Sequence, residues 1–140
     1  MKIALIGLGM VADTHIAALH HSDKNLTLAG VLGRDPDRAN AFARSAAATL
    51  GYSVPVYGSA DAIAQDPQID FALIATPPDA RADLVQALVA QGKPILMEKP
   101  IERSLSAAEG IVETCEKAKV PLGIVLQHRA RAASRALKSA

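Results

Sequence analysis

A single cysteine, Cys115, stands in this chain of 140 residues, so no internal disulfide can staple the fold. It falls within an apolar and charged helical pattern and reads as a buried packing residue, which makes a reducing cytoplasm the expected location. No apolar run approaches the roughly 20 residues that a membrane span needs, so no membrane partner is expected. A net charge of only +1 supplies no basic stripe, which argues against nucleic acid as a partner. Low-complexity tracts and internal repeats are lacking too. The first apolar run begins at Lys2 and leaves no room for a signal peptide. What is present is a chain half hydrophobic and one fifth charged, long enough to bury about two thirds of its unfolded surface in one core.

The apolar run Lys2-Ile3-Ala4-Leu5-Ile6 leads straight into Gly7-Leu8-Gly9-Met10-Val11-Ala12 and then into an apolar helical stretch from Met10 to Leu19. A strand that ends in Gly-x-Gly-x-x-Ala and opens a helix needs each small residue for a separate reason. Gly7 permits a tight turn, Gly9 lets a pyrophosphate approach bare backbone, and Ala12 lets the helix pack close to the strand. The unpaired N–H groups of the first helical turn then face an anion, and the helix dipole favours its negative charge. Gly7, Leu8, Gly9, Met10 and Val11 are therefore the candidate diphosphate contacts of a dinucleotide.

Strand-like and helix-like segments alternate along the rest of the chain, which predicts parallel βαβ units. A second strand is expected at Leu26–Leu32. Asp35-Pro36 then caps a helix that runs to about Leu50 and stops at Gly51. A short third strand is expected at Val54–Tyr57, a brief helix at Ala60–Gln65 and a central strand at Phe71–Ala75. Pro77 and Pro78 end that strand, and Asp79 is placed to cap a helix from Ala80 to Ala90. The fifth strand, Pro94–Met97, is followed by a helix in which Ser106 and Glu109 have capping-box spacing, running to about Lys119. Leu122–Gln127 makes a sixth. Right-handed crossovers and the glycine turn select a doubly wound α/β sheet of order 3-2-1-4-5-6 between two helical layers.

In such a sheet the ligand crevice lies beyond the carboxyl ends of the strands, beside Gly9, Gly33, Thr76 and Lys99. The second strand ends in Leu32-Gly33-Arg34, without the acid that accepts hydrogen bonds from the adenosine ribose, and Asp35 is committed to capping. Arg34 can stack on adenine and pair with a 2'-phosphate, with Arg38 one helical turn on, so NADP(H) is favoured over NAD(H). Solvated surface charge is the alternative for both arginines. The fifth strand ends in Met97-Glu98-Lys99-Pro100. Lys99 can take or donate a proton as an alcohol is oxidised, while strand alternation sends Glu98 to the opposite face, where it braces the site. An ordinary Glu98–Lys99 ion pair is the plainer reading. His20 and His21 form a polar helix end, and His128 has no second convergent ligand, so no metal is expected.

The Gly-x-Gly-x-x-Ala start, His15, Ala75-Thr76-Pro77-Pro78, Glu98-Lys99-Pro100 and Leu126-Gln127-His128-Arg129 together resemble the Gfo/Idh/MocA oxidoreductases, with Glu-Lys-Pro the specific part. The resemblance implies a Rossmann fold over residues 1–128 and cofactor contacts at Gly33, Arg34, Arg38, Ala75, Thr76, Pro77, Glu98, Lys99 and Gln127. It further implies a proton-transfer role for Lys99 and a cis peptide bond before Pro100. Arg81 stands where the family often carries histidine, and solvent is its expected environment. His15 is expected to pack under the glycine turn.

Members of that family continue into a second domain, and residues 129–140 read as the start of a linker helix toward it. The resemblance then implies hydride transfer to or from a hydroxyl-bearing carbon of a small-molecule substrate, a sugar, cyclitol or polyol, in a longer parent. On that reading the 140 residues alone bind cofactor with little or no catalysis, and the surface left open by the second domain favours homo-oligomers. A stand-alone NAD(P)-binding sensor or accessory module is the competing class, and a ligand-free domain a third.

Overall fold

The computed structural model describes residues 1–22 and 25–139, and its strands form one five-stranded parallel sheet. The strands are β1 (Lys2–Ile6), β2 (Thr27–Leu32), β3 (Phe71–Ile74), β4 (Ile95–Glu98) and β5 (Leu122–Val125), in the order β2-β1-β3-β4-β5. Between them run α1 (Ala12–His20), α2 (Pro36–Leu50), α3 (Ala60–Gln65), α4 (Ala82–Ala90) and α5 (Leu105–Lys117), and α6 (Ala132–Ser139) follows the last strand. Ala140 lies outside the described residues.

β1, β3 and β4 are largely buried while β5 is half-buried along its length, and the period of two sorts the strand side chains into two cores. Ala4, Ile6, Ala72, Ile74, Ile95 and Met97 pack under α3, α4 and α5, where Ile63, Val85, Leu88, Ile111 and Cys115 meet them. Ile3, Leu5 and Leu73 face the other way, against Ala12 and Ile16 of α1 and Ala43 and Ala46 of α2. Cys115 is buried, as its pattern indicated.

The doubly wound order holds, with one correction. The strand expected at Val54–Tyr57 is reduced to a single parallel bridge between Val56 and Val31. Pro55 cannot donate to a ladder. Its carbonyl accepts from Val31 N, Tyr57 N returns to Val31 O, and nothing more is paired along this edge. Tyr57 instead holds the segment in place by its ring, which lies where a side chain on Gly30 would sit, and its hydroxyl donates to Asp66 Oδ2 at 2.6 Å.

Helix boundaries set by local chemistry fall where expected. Asp35 Oδ1 accepts from Arg38 N at 3.0 Å, Pro36 opens α2, and Gly51 ends it in the left-handed region at φ +82. Two caps differ from expectation. Asp79 lies in a 3-10 turn, Pro78–Ala80, and its carboxylate pairs with Arg103 at 3.3 Å, so α4 begins after it with Arg81 at its N-cap. Ser104, two residues before Ser106, caps α5 by accepting from Ala107 N.

Burial, then the hydrogen bond to Asp66 and its charge, push the Tyr57 hydroxyl up from 10.0 to about 12. The same hydrogen bond is the main cause that lowers Asp66. A raised folded-state value means stability that is whole below pH 10 and is lost as pH climbs toward 12. Melting temperature should therefore fall more steeply over that interval for the parent chain than for Tyr57→Phe; parallel curves would contradict the pairing.

Candidate functional site

Because all five strands are parallel, their carboxyl ends share one edge, and the segments leaving them are Gly7, Gly33, Ala75-Thr76, Lys99 and Leu126-Gln127. Gly7 sits at φ +97, and a Cβ there would lie 2.6 Å from Thr76 N and 2.8 Å from the Ala75 carbonyl carbon. Gly7 N donates to Leu32 O, and Ala75 N donates to Ile6 O at 2.7 Å, so the turn is drawn in between its two neighbouring strand ends. Gly33 has its own tight neighbours, since a Cβ there would lie 3.0 Å from Leu8 Cδ1 and 3.2 Å from Ala39 Cβ.

Gly9 is different. A Cβ at Gly9 would meet no protein atom within 4 Å, so the protein's own packing does not demand glycine there. Val11 at the N-cap of α1 makes no side-chain cap, and Met10 beside it is 99% exposed, which leaves only its backbone to the turn. Ala12 is fully buried against the sheet, as close helix packing requires. Thr76 Oγ1 is buried and has no hydrogen-bond partner. Open space over bare backbone, an uncapped helix start and an orphaned hydroxyl beside the same turn fit the diphosphate of a dinucleotide.

Arg34 and Arg38 are exposed at the end of β2 and the start of α2, with Asp35 between them held by its capping bond. At the other end of the edge, alternation along β4 turns Glu98 toward α1. There His15 Nε2 donates to Glu98 Oε1 at 3.0 Å, so His15 is tied to the end of β4. Lys99 is exposed just beyond the strand, and the Lys99–Pro100 bond is cis. The Glu98 carboxylate pairs with His15 and not with Lys99. Gln127 is exposed and opens a 3-10 turn, Gln127–Ala130, because the strand expected to run from Leu122 to Gln127 stops two residues earlier, at Val125.

Arg81 overturns its expected place in solvent. It is 2% exposed, and its guanidinium faces main-chain oxygens. Nε and Nη2 donate to Thr76 O at 3.1 and 2.7 Å, and Nη1 donates to Glu98 O, Pro100 O and Ile101 O. Burial pulls the group below its ordinary range, with Glu102 and Glu98 opposing. Nothing in the local pattern marks these acceptors, since they are carbonyls brought in from two other strand ends.

A parallel doubly wound sheet with a bare glycine turn at the switch between β2-β1 and β3 defines a dinucleotide-binding domain. The chain belongs to the Gfo/Idh/MocA oxidoreductase family, NAD-binding Rossmann fold, whose model matches residues 1–125. It is 34% identical to D-apiose dehydrogenase of Rhizobium rhizogenes over 125 residues, covering 87% of this chain and 34% of that protein. It is 32% identical to inositol 2-dehydrogenase of Renibacterium salmoninarum, covering 88% and 34%. The scyllo-inositol dehydrogenase of Lactobacillus casei, solved with NAD(H) and scyllo-inositol, shares the fold at a TM-score of 0.82 and 21% identity, over 99% of this chain and 40% of that one. The chain thus spans about a third of the length of the curated relatives it matches.

The two fingerprint glycines should separate on substitution. Gly7→Ala combines a positive φ with contact against backbone that cannot yield, and should cost about 2–4 kcal/mol in denaturant unfolding. Gly9→Ala should stay within roughly 0.5 kcal/mol of the parent. Equal losses would contradict the geometry.

Proposed function

We infer that this chain holds the pyridine nucleotide of an oxidoreductase that acts on a hydroxyl-bearing carbon of a sugar, cyclitol or polyol. The observation that carries the reading is Gly9 at the start of α1: the space over its backbone is open and the helix start is uncapped, which leaves room for an anionic ligand. The substrate class is supported by the relatives, named for apiose and inositol.

The amides of Gly7, Leu8, Gly9, Met10 and Val11 would hold the diphosphate through backbone N–H groups and the positive end of α1. Gly33 keeps the edge beside them shallow, and Arg34 with Arg38 would receive the adenosine end. Asp35, the acid nearest the end of β2, has a carboxylate oxygen engaged by its cap, and two exposed arginines flank it, which favours NADP(H) over NAD(H). Ala75, Thr76, Pro77, Glu98, Lys99 and Gln127 would bound the reacting end, with the Thr76 hydroxyl free to donate or accept.

The nicotinamide, when bound, supplies the hydride acceptor or donor. Lys99 is the residue assigned to the proton: its Nζ would take it from the substrate hydroxyl as a base, or stabilise the oxygen as a cationic donor. Glu98 does not share that step; its carboxylate is held by His15 and its carbonyl by Arg81.

Calorimetric titration with NADPH and NADH tests the reading. The parent chain should bind both, Gly9→Ala should lose at least about tenfold in affinity for each, equivalent to roughly 1.4 kcal/mol, and Arg34→Ala should weaken NADPH by about tenfold more than NADH. Absence of binding to the folded parent chain would refute the function, and equal losses for Arg34→Ala would refute the phosphate preference.

A further inference from the structure

A cation that is 2% exposed and faces only main-chain carbonyls is an expensive way to fill space, because a buried charge costs far more than an apolar side chain unless every donor is used. Arg81 uses its donors in two directions. The edge formed by Nε and Nη2 grips Thr76 O, where the chain leaves β3; Nη1 grips Glu98 O, Pro100 O and Ile101 O, where it leaves β4. The guanidinium is planar and rigid, so the two segments are held at a separation set by one flat group. With the carbonyls on both sides of Lys99, those of Glu98 and Pro100, turned inward to Arg81, the Lys99 side chain is left on the exposed side.

We propose that Arg81 is a positioning residue: it fixes Lys99 relative to Thr76 across the reacting end of the crevice. The inference rests on the reading of Lys99 given above, yet its mechanical half can be tested apart from it. A lysine at this position has one nitrogen and no fork, so it cannot span both segments. A histidine cannot either, since its ring carries two nitrogens and not five N–H donors.

The test uses the whole 140-residue chain with Arg81→Lys and Arg81→Met, each at a temperature where circular dichroism shows it folded. Hydrogen exchange is followed at the amides of Lys99, Ile101 and Glu102, with Leu5 and Ile74 as references. In parallel, acylation of Lys99 by an amine-directed reagent is followed with and without saturating NADPH or NADH. Exchange at the three amides should rise about tenfold or more in both variants relative to the references, reporting local opening. Protection of Lys99 from acylation by nucleotide, present in the parent, should weaken in both variants.

Unchanged exchange at residues 99–102 in a folded variant overturns the proposal. Nucleotide that fails to protect Lys99 in the parent chain overturns the placement of Lys99, and with it the functional half of the proposal, while the exchange comparison still decides whether Arg81 is a strut. Should neither variant fold, the Arg81 Nε–H of the parent decides: exchange slowed about 100-fold against that of the exposed Arg34 and Arg38 supports the strut, and exchange at their rate overturns it.

Discussion

The glycine turn after β1 can close only because Gly7 has no side chain. With a Cβ 2.6 Å from Thr76 N, the Ile6–Gly7 backbone could not lie against the Ala75–Thr76 backbone, and β1 and β3 would have to part at the edge where the ligand is proposed to sit. That contact makes the rest possible. It aims α1 across the sheet so that Ala12 is fully buried, it opens the first helical turn toward the crevice, and it brings Thr76, with its orphaned hydroxyl, against the backbone of Gly7. The glycines of this motif thus differ physically, one required by contacts within the protein and the other standing over open space, where a ligand is proposed.

The opposite end of the edge is organised by alternation along one short strand. In β4, Met97 enters the core beneath α3, α4 and α5, while Glu98 turns to α1 and meets His15. The next residue, Lys99, is released beyond the last sheet pair, Glu98 with Val125. The main chain at this point is fastened from the α4 side by Arg81, and the Glu98 side chain from the α1 side by His15. Both helical layers therefore grip the segment that carries the proposed proton-transfer residue, and strand parity distributes the work between them.

How much of this could be read from the sequence follows from the range of each interaction. Asp35-Pro36 and Gly51 act on their own helix within a turn, so α2 was legible to the residue. The continuous apolar run of β3 and the Gly-x-Gly turn were legible for the same reason, since a doubly covered strand and a bare helix start are local patterns. The strand at Val54–Tyr57 was not, because its pairing with β2 is interrupted by Pro55 and replaced by the packing of Tyr57 over Gly30, a contact between chain segments. The burial of Arg81 is the least legible feature. Its acceptors are backbone oxygens up to 20 residues away, and any residue could supply a carbonyl, so no side-chain type flagged the site. His15 and Glu98, 83 residues apart, were each noticed without the link between them. An arginine just after a Pro-Pro pair, at a helix start with no acid one turn away, is the only local signal the sequence carries for the burial of Arg81.

The central claim is that a dinucleotide diphosphate rests on the exposed amides where β1 turns into α1. Backbone amide shifts followed by NMR during titration with NADPH tests it most directly. The account predicts saturable shifts centred on Gly7–Val11, with Gly33 and Thr76 joining them and the amides at the amino ends of the strands unmoved. Saturable binding that leaves Gly9, Met10 and Val11 unshifted would contradict it.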